Sequence, residues 1–398
     1  MLKKFQTTSD TYYFNSDNFT LSTSKKSIKN DKTAYTDKSV LQKVVINISN
    51  SCNLSCAYCY ADGGNYGVDS KIMDKTTADA IIGDIISDDI KQINRLILFG
   101  GEPFLNINIF TYFIDKLSKF LNIKKVETVT NGTILNSRVK SMIEKYQPFL
   151  TVSLDGPQLI HDKLRGKGKH QKTLKFINYL KSINYDKFEI AATYTNVHQK
   201  NNIAKSDIFN YLVEMKVKFN INNVFSKNKV LTVKEAEMPM KKRKSFIDQS
   251  INDIINDNVN SFISPILYDV LISMIYKSKS LSFCDDINTM NTRTYDVDGS
   301  KEACFRFWGK HHSKRVEKFN NKDNFSRCKN CWCKNMCMEC VANMIDGYSS
   351  IISETGVFLG CQKQELMEYC IYKIIAIAKD ENKLFKLVNN FERFIRYA

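Results

Sequence analysis

The chain lacks any run approaching the roughly 18 uninterrupted apolar residues of a membrane-spanning helix. Its opening residues, "MLKKFQTTSDTYYFN", lack the apolar core of a secretion signal. Both absences predict a cytoplasmic protein with no membrane partner. No cysteine occurs in the 224 residues between Cys59 and Cys284, and no further Cys or His follows Cys59 before His161. The second gap argues against a closed four-ligand zinc site near the start of the chain. No internal repeat is present.

What is there reads as an ordinary soluble protein. The 398 residues are 43% hydrophobic and 25% charged, enough for one large domain or two to three smaller ones. The formal charge of +16 has two readings. Lys and Asn are spread along the whole chain, which favours a compositional bias; an acidic partner is the other, a peptide or protein ahead of nucleic acid. The informative excess is twelve cysteines. They fall into Cys52, Cys56 and Cys59, then nine from Cys284 to Cys370. Clustered cysteines in a chain without an export signal bind metal more often than they pair, so two metal-bearing regions are expected.

Residues 1–42 read as a polar arm in which "TYYFNSDNFTLS" forms a small hairpin. From Lys43, apolar runs alternate with amphipathic stretches. Strands are expected at 43–49, 95–101, 126–132, 149–156, 189–195 and 217–225, and helices at 76–90, 107–121 and 171–183. Interleaving at this spacing predicts an α/β domain of repeated βα units with a parallel sheet over 43–230. A linker with a helical bridge (247–277) occupies 231–280, a cysteine-rich domain 281–370, and a last helix runs to the end, 371–398.

The stretch "SNSCNLSCAYCYADGG" follows the first strand directly, so its loop lies at a strand's C-terminal end, where α/β proteins place their chemistry. Three thiolates spaced C-x₃-C-x₂-C suit a 4Fe–4S cubane that leaves one iron open to a small molecule. This motif, with Tyr58 just before the last cysteine, resembles the radical S-adenosylmethionine (SAM) enzymes. The resemblance implies a partial (β/α)₆ TIM-like barrel. It implies that Cys52, Cys56 and Cys59 hold a cluster whose open iron binds the SAM amino and carboxylate groups. Reduction then cleaves SAM to a 5′-deoxyadenosyl radical that takes hydrogen from substrate.

Further motifs stand at successive strand ends. "FGGEP" resembles the family's glycine-rich segment, which implies that Gly100, Gly101 and Glu102 meet the SAM amino group. "TNGT" implies a polar contact from Asn131. "SLDG" implies Ser153 near the ribose or carboxylate; Asp155 is either a cofactor contact or a turn residue before Gly156. In "HDKLRG", Arg165 is implied to pair with the SAM carboxylate, since its planar fork suits one; the alternative is a surface arginine among lysines.

The segment "CKNCWCKNMCMEC" (328–340), with "YDVDGSKEACFRF" before it, resembles the SPASM extension of peptide- and protein-modifying radical SAM enzymes. That extension houses two auxiliary 4Fe–4S clusters. The resemblance implies Cys328, Cys331, Cys337 and Cys361 for the distal cluster, and Cys284, Cys304 and Cys340 for the nearer one. Cys333 is extra and a candidate substitute, and Cys370 reads as a buried helix cysteine. Cys337 and Cys340 stand C-x₂-C where many relatives have C-x₃-C, which loosens the assignment of Cys340. The sulfatase-maturing branch carries two cysteines around position 284 and an Asp after the position of Cys304; here Cys284 stands alone and Phe305 follows Cys304.

A nearer cluster with three protein ligands implies room for a substrate thiolate. The expected activity is therefore maturation of a ribosomally made peptide by a Cys-derived thioether. Carbon–carbon cross-linking or protein activation of the sulfatase or quinoprotein type are the alternatives, and a zinc-bearing nucleic-acid-binding protein lies outside the class. Implied partners are a Cys-containing, acidic precursor peptide and an electron donor such as flavodoxin or ferredoxin. Many peptide maturases begin with a winged-helix module that grips a leader peptide, and the first 40 residues are too short for one. Leader recognition is expected to be reduced, supplied by a separate leader-binding protein, or done by the basic surface.

Overall fold

The computed structural model describes residues 1–24, 37–224, 240–258, 263–277, 279–280, 282–284, 291–308, 313–345 and 362–397. Two compact units emerge. One comprises Tyr35–Val233 and Asp286–Ser313; the other comprises Met1–Ala34, Lys234–Asp285 and Lys314–Ala398.

The first unit is built on a parallel sheet. Its strands are β1 (Lys43–Ser49), β2 (Gln92–Gly100), β3 (Asn122–Thr130), β4 (Phe149–Ser153), β5 (Phe188–Tyr194), β6 (Phe219–Asn223) and β7 (Thr292–Tyr295). They pair in the order β6-β5-β4-β3-β2-β1-β7, and the short strand Val40–Leu41 also pairs with β2. All six expected strands are present. β7 is an addition: "TRTY" is short and polar, and it joins β1 in parallel register, with Thr294 opposite Val45.

Helices return the chain between strands, among them α1 (Lys75–Ile86), α2 (Ile107–Leu117), α3 (Ser137–Tyr146), α4 (Gln158–Arg165), α5 (Lys169–Ser182) and, after a short turn of helix at Asn196–Lys200, α6 (Lys205–Val213). Helix α1 forms because Ala78, Ile81, Ile82 and Ile85 fall on one buried stripe, and because the Asp74 side chain accepts the Thr77 N–H at 2.7 Å. On β5, Phe188, Ile190, Ala192 and Tyr194 are buried, while Glu189, Ala191 and Thr193 between them stay partly accessible. This period-two alternation marks one fully packed face and one more open face.

In the second unit the hairpin expected in "TYYFNSDNFTLS" is present and gains a third strand. Leu2–Gln6, Thr11–Asn15 and Thr20–Ser22 form an antiparallel sheet, and Phe5, Phe14 and Phe19 are buried. Trp332, set between Cys331 and Cys333, meets Phe5 and Phe14 edge-on at 5.8 and 6.0 Å. Asn335 also donates its amide N–H to the Ser16 carbonyl at 2.9 Å. The N-terminal sheet thus covers the cysteine segment. Trp332→Ala is expected to cost this unit about 3–5 kcal/mol, read as a lower denaturant midpoint, because a large buried aromatic leaves a cavity.

The expected bridge is two helices, Met240–Ile255 and Pro265–Tyr276. Pro265 lacks an N–H and opens a new helix at its first turn. The expected last helix is also two, Gln362–Ile377 and Glu381–Tyr397, because the Asp380 side chain accepts the Lys383 N–H at 3.1 Å and starts a second helix there. No helix among the described residues is long and apolar enough to cross a membrane.

Candidate functional site

Cys52, Cys56 and Cys59 lie on the loop after β1, half-buried and unpaired. The N–H groups near them point at sulfur. Leu54 N–H donates to Cys52 Sγ at 3.4 Å, the Asn131 amide lies 3.8 Å from Cys52 Sγ, and Arg165 Nη1 lies 4.0 Å from Cys56 Sγ. Burial pushes the Cys52 thiol up to about 11 and also raises Cys56. Metal uptake must therefore release protons, and iron loading is favoured as pH rises.

The loop rests on glycines. Gly64 has φ +101°, and a Cβ there would come within 2.6 Å of Cys52 Cβ and 2.9 Å of Gly101 Cα. A Cβ at Gly101 would meet the Ser51 carbonyl oxygen at 2.5 Å. Backbone therefore touches backbone under the thiols, which only glycine permits. At Gly100 beside it, a Cβ would come within 2.2 Å of the Ser49 carbonyl oxygen. Gly101→Ala is expected to cost about 1–3 kcal/mol by overpacking and to lower iron content per chain after reconstitution. Gly64 is a site residue that the sequence motifs did not single out.

Glu102 turns inward. It is fully buried, with Oε1 accepting from Phe104 N–H (3.1 Å) and the Thr130 hydroxyl (2.9 Å), and Oε2 accepting from Asn131 N–H (2.8 Å). Burial raises its carboxyl to about 7, against these donors. Its side chain is spent on protein donors, and it ties β2 to the "TNG" turn. That turn reaches the cysteine loop through Asn131, whose amide donates to Asn53 Oδ1 at 2.9 Å. Ser153 ends β4, partly accessible, opposite Ala191.

Asp155 is fully buried two residues beyond β4. Oδ2 accepts from Arg165 Nε at 2.7 Å and the Tyr58 hydroxyl at 2.8 Å; Oδ1 accepts from Arg165 Nη2 at 3.2 Å and Thr193 N–H at 3.0 Å. Burial alone would raise the Asp155 carboxyl, but the Arg165 guanidinium holds it below its ordinary value. Burial likewise raises the Tyr58 hydroxyl, which keeps its proton and donates. Arg165 is thus no surface residue: at 8% exposure one edge of its fork is committed to Asp155, leaving Nη1 toward Cys56. Asp155 acts here as the holder of Arg165 and Tyr58.

Residues 46–204 match the Radical SAM superfamily. An uncharacterised protein of Methanocaldococcus jannaschii is 32% identical over 184 residues, 45% of this chain and 60% of that protein. The antilisterial bacteriocin subtilosin biosynthesis protein AlbA of Bacillus subtilis is 29% identical over 139 residues, 33% of this chain and 29% of that one. The chain therefore aligns with less than two thirds of these relatives' own lengths. In fold it is similar to native anSMEcpe with bound AdoMet and Kp18Cys peptide, with TM-score 0.63 and 18% identity over 86% of this chain and 99% of that one.

The cofactor of a radical SAM domain is a 4Fe–4S cluster that binds SAM, and the residues fit it. Three thiols share one loop, N–H donors face two of the sulfurs, and glycines leave a cradle that any Cβ would fill. Among the described residues no three His, Cys, Asp or Glu side chains converge closely enough for a single ion.

Beside the radical SAM loop stands an aromatic wall. Tyr66 and Trp308 are buried, with ring centroids 5.3 Å apart, and Phe305 lies tilted against Phe99 at 5.3 Å and edge-on to Tyr60 at 6.3 Å. Cys304 precedes Phe305, and the Arg306 guanidinium lies over the Tyr60 ring at 5.0 Å. Asn47 of β1 donates to the buried Asp296 carboxylate at 2.7 Å, which docks the "DVDG" turn.

In the other unit, Cys331 Sγ and Cys333 Sγ stand 3.3 Å apart, and the hydrogen bond with Cys333 lowers the Cys331 thiol to about 6. Cys333 and Cys337 are buried, Cys328 is half-buried and Cys340 is exposed. Cys284 is held by Asn320, whose Oδ1 accepts its N–H at 2.8 Å. Cys370 is buried inside its helix, and burial pushes its thiol up to about 12. Cys361 lies outside the described residues.

Proposed function

We propose that the protein is a cytoplasmic radical SAM peptide maturase that installs a Cys-derived thioether in a ribosomally made precursor. The observation that carries the reading is the three-thiol loop facing Arg165 Nη1 at 4.0 Å from Cys56 Sγ. Cys52, Cys56 and Cys59 hold the cluster, and Arg165 and Asn131 face its rim as donors for the carboxylate and polar groups of SAM. The main chain at Gly100 and Gly101 admits the amino group. Bound there, the cluster and SAM would supply a 5′-deoxyadenosyl radical able to take hydrogen from a peptide, and auxiliary clusters would supply an acceptor for the second electron of a thioether closure.

The cysteines of the C-terminal region, Cys328, Cys331 and Cys337 among them, hold those auxiliary clusters. Phe305 supports a thioether over sulfatase-type maturation. It stands where that branch has an acidic residue, its ring packs among Tyr60, Phe99 and Trp308, and it offers no proton acceptor. The precursor is an acidic, Cys-containing peptide, matched to the charge of +16. A flavodoxin or ferredoxin supplies electrons, and a separate protein grips the leader.

The test is anaerobic reconstitution, reduction with dithionite, and addition of SAM with small precursors encoded beside the gene. Formation of 5′-deoxyadenosine and a peptide lighter by the mass of two hydrogen atoms per linkage, with thiols lost, is expected. A peptide joined through aromatic or lysine carbons with its thiols intact would replace the thioether by a carbon–carbon link. No 5′-deoxyadenosine would overturn the whole reading.

A further inference from the structure

The peptide group of Asp155 poses a problem that its side chain does not solve. The β4 ladder ends with Leu154 N–H on the Ala191 carbonyl at 2.9 Å. Asp155, fully buried beyond it, would carry an orphaned N–H and C=O, each costly without a partner. Two buried histidines take them. Asp155 N–H donates to His161 Nδ1 at 3.3 Å, and His198 Nε2 lies 2.9 Å from the Asp155 carbonyl oxygen.

Their partners fix both tautomers. His161 accepts at Nδ1, so its proton is on Nε2, which has no hydrogen-bond partner among the described residues. His198 Nδ1 accepts Thr195 N–H at 3.0 Å, so its Nε2 carries the proton given to Asp155. Both rings have no exposed surface. His161 comes from the first turns of α4, the helix that ends in Arg165. One short helix therefore supplies both one half of the clamp and the guanidinium, and His198 comes from the turn of helix Asn196–Lys200.

We propose that His161 and His198 are positioning residues that clamp the Asp155 peptide from its two ends and so aim Arg165 at the cofactor. Asp155 binds Arg165 through two nitrogens, so a tilt of its peptide turns the guanidinium and moves Nη1 from the cluster rim. The inference rests on the radical SAM reading of this loop, with Arg165 as a SAM contact. It adds the residues that set the angle of that contact.

The experiment measures SAM affinity of the reconstituted full chain by equilibrium titration, with iron content and thermal unfolding recorded for each variant. His161→Leu removes the acceptor and is expected to weaken SAM binding about tenfold, the worth of one buried hydrogen bond. His161→Asn, whose amide oxygen stands near Nδ1, restores most of the affinity. His198→Leu weakens binding similarly, and His198→Gln, which keeps a donor, restores it.

In an Arg165→Gln background neither histidine variant weakens SAM further, because the group they aim is gone. Equal losses with and without Arg165, or unchanged affinity in the Leu variants, would overturn the proposal. If the Leu variants fail to fold, ¹⁵N-histidine spectra of the wild type decide at neutral pH. Both rings must be Nε2–H tautomers, and an Nδ1–H form at either position overturns the clamp. A wild type that binds no SAM at all sinks the radical SAM reading with it; a wild type that binds while its variants bind equally sinks only the clamp.

Discussion

Asp155→Asn is expected to destabilise the α/β unit by about 3–5 kcal/mol and to abolish tight SAM binding. The substitution keeps shape and removes charge, leaving the Arg165 guanidinium buried at 8% exposure with no counter-ion. Two of the donors on Asp155 are charged, so their loss exceeds that of ordinary hydrogen bonds. The measurement is the denaturant midpoint of wild type and variant with the slope held as a control.

The same pair gives a pH signature. The folded Asp155 carboxyl lies below its unfolded value of about 3.9, so its contribution is complete above that value and is lost as pH falls through the folded one. The stability gap between wild type and variant should therefore be constant near neutrality and shrink in acid. A gap that stayed level in acid would show that the variant's loss does not come from the missing carboxylate charge.

Cys52→Ala, Cys56→Ala or Cys59→Ala, made singly, is expected to bring 5′-deoxyadenosine formation to background. With three thiols available, losing one leaves a cluster that cannot hold all its irons or expose a single open one. Cys328→Ala, on the other unit, is expected to leave SAM cleavage intact while modified peptide disappears. Iron, sulfide and 5′-deoxyadenosine per chain separate the two outcomes. Undiminished SAM cleavage by any first-group variant would mean the radical is not made at this loop.

Much of the α/β unit was legible because its signals are local. Runs such as "KVVINIS" and "RLILFGG" have the β-branched, apolar character of buried parallel strands, and the apolar spacing of α1, α2 and α5 reads at helical period. What escaped depends on distant partners. Strand β7 is polar and finds its place only by pairing with β1, some 250 residues earlier in the chain. The N-terminal sheet is anchored by Phe5 and Phe14, whose ring partner Trp332 lies far along the chain. The helix break at Asp380 carried a local cue, an Asp three residues before Lys383, hidden by the long amphipathic run around it.

Around the site, the motifs at strand ends named residues that do come together, but not how each side chain is used. Glu102 and Asp155 are carboxylates in similar turns, and both are spent on protein donors. His161 stood within the quoted "HDKLRG" without a role. His198 has no motif at all and reaches Asp155 across 43 positions of sequence.

The contact of Gly64 with Gly101 also restricts how the chain can change in length. Because main chain meets main chain there, the path from Cys52 to Gly64 is measured off at both ends, and one residue more or fewer would carry the thiols away from Asn131 and Arg165. Beyond it, Gly67 to Ser70 are exposed. Insertions belong in that outer stretch, where variants of different loop size would keep the same iron-binding geometry.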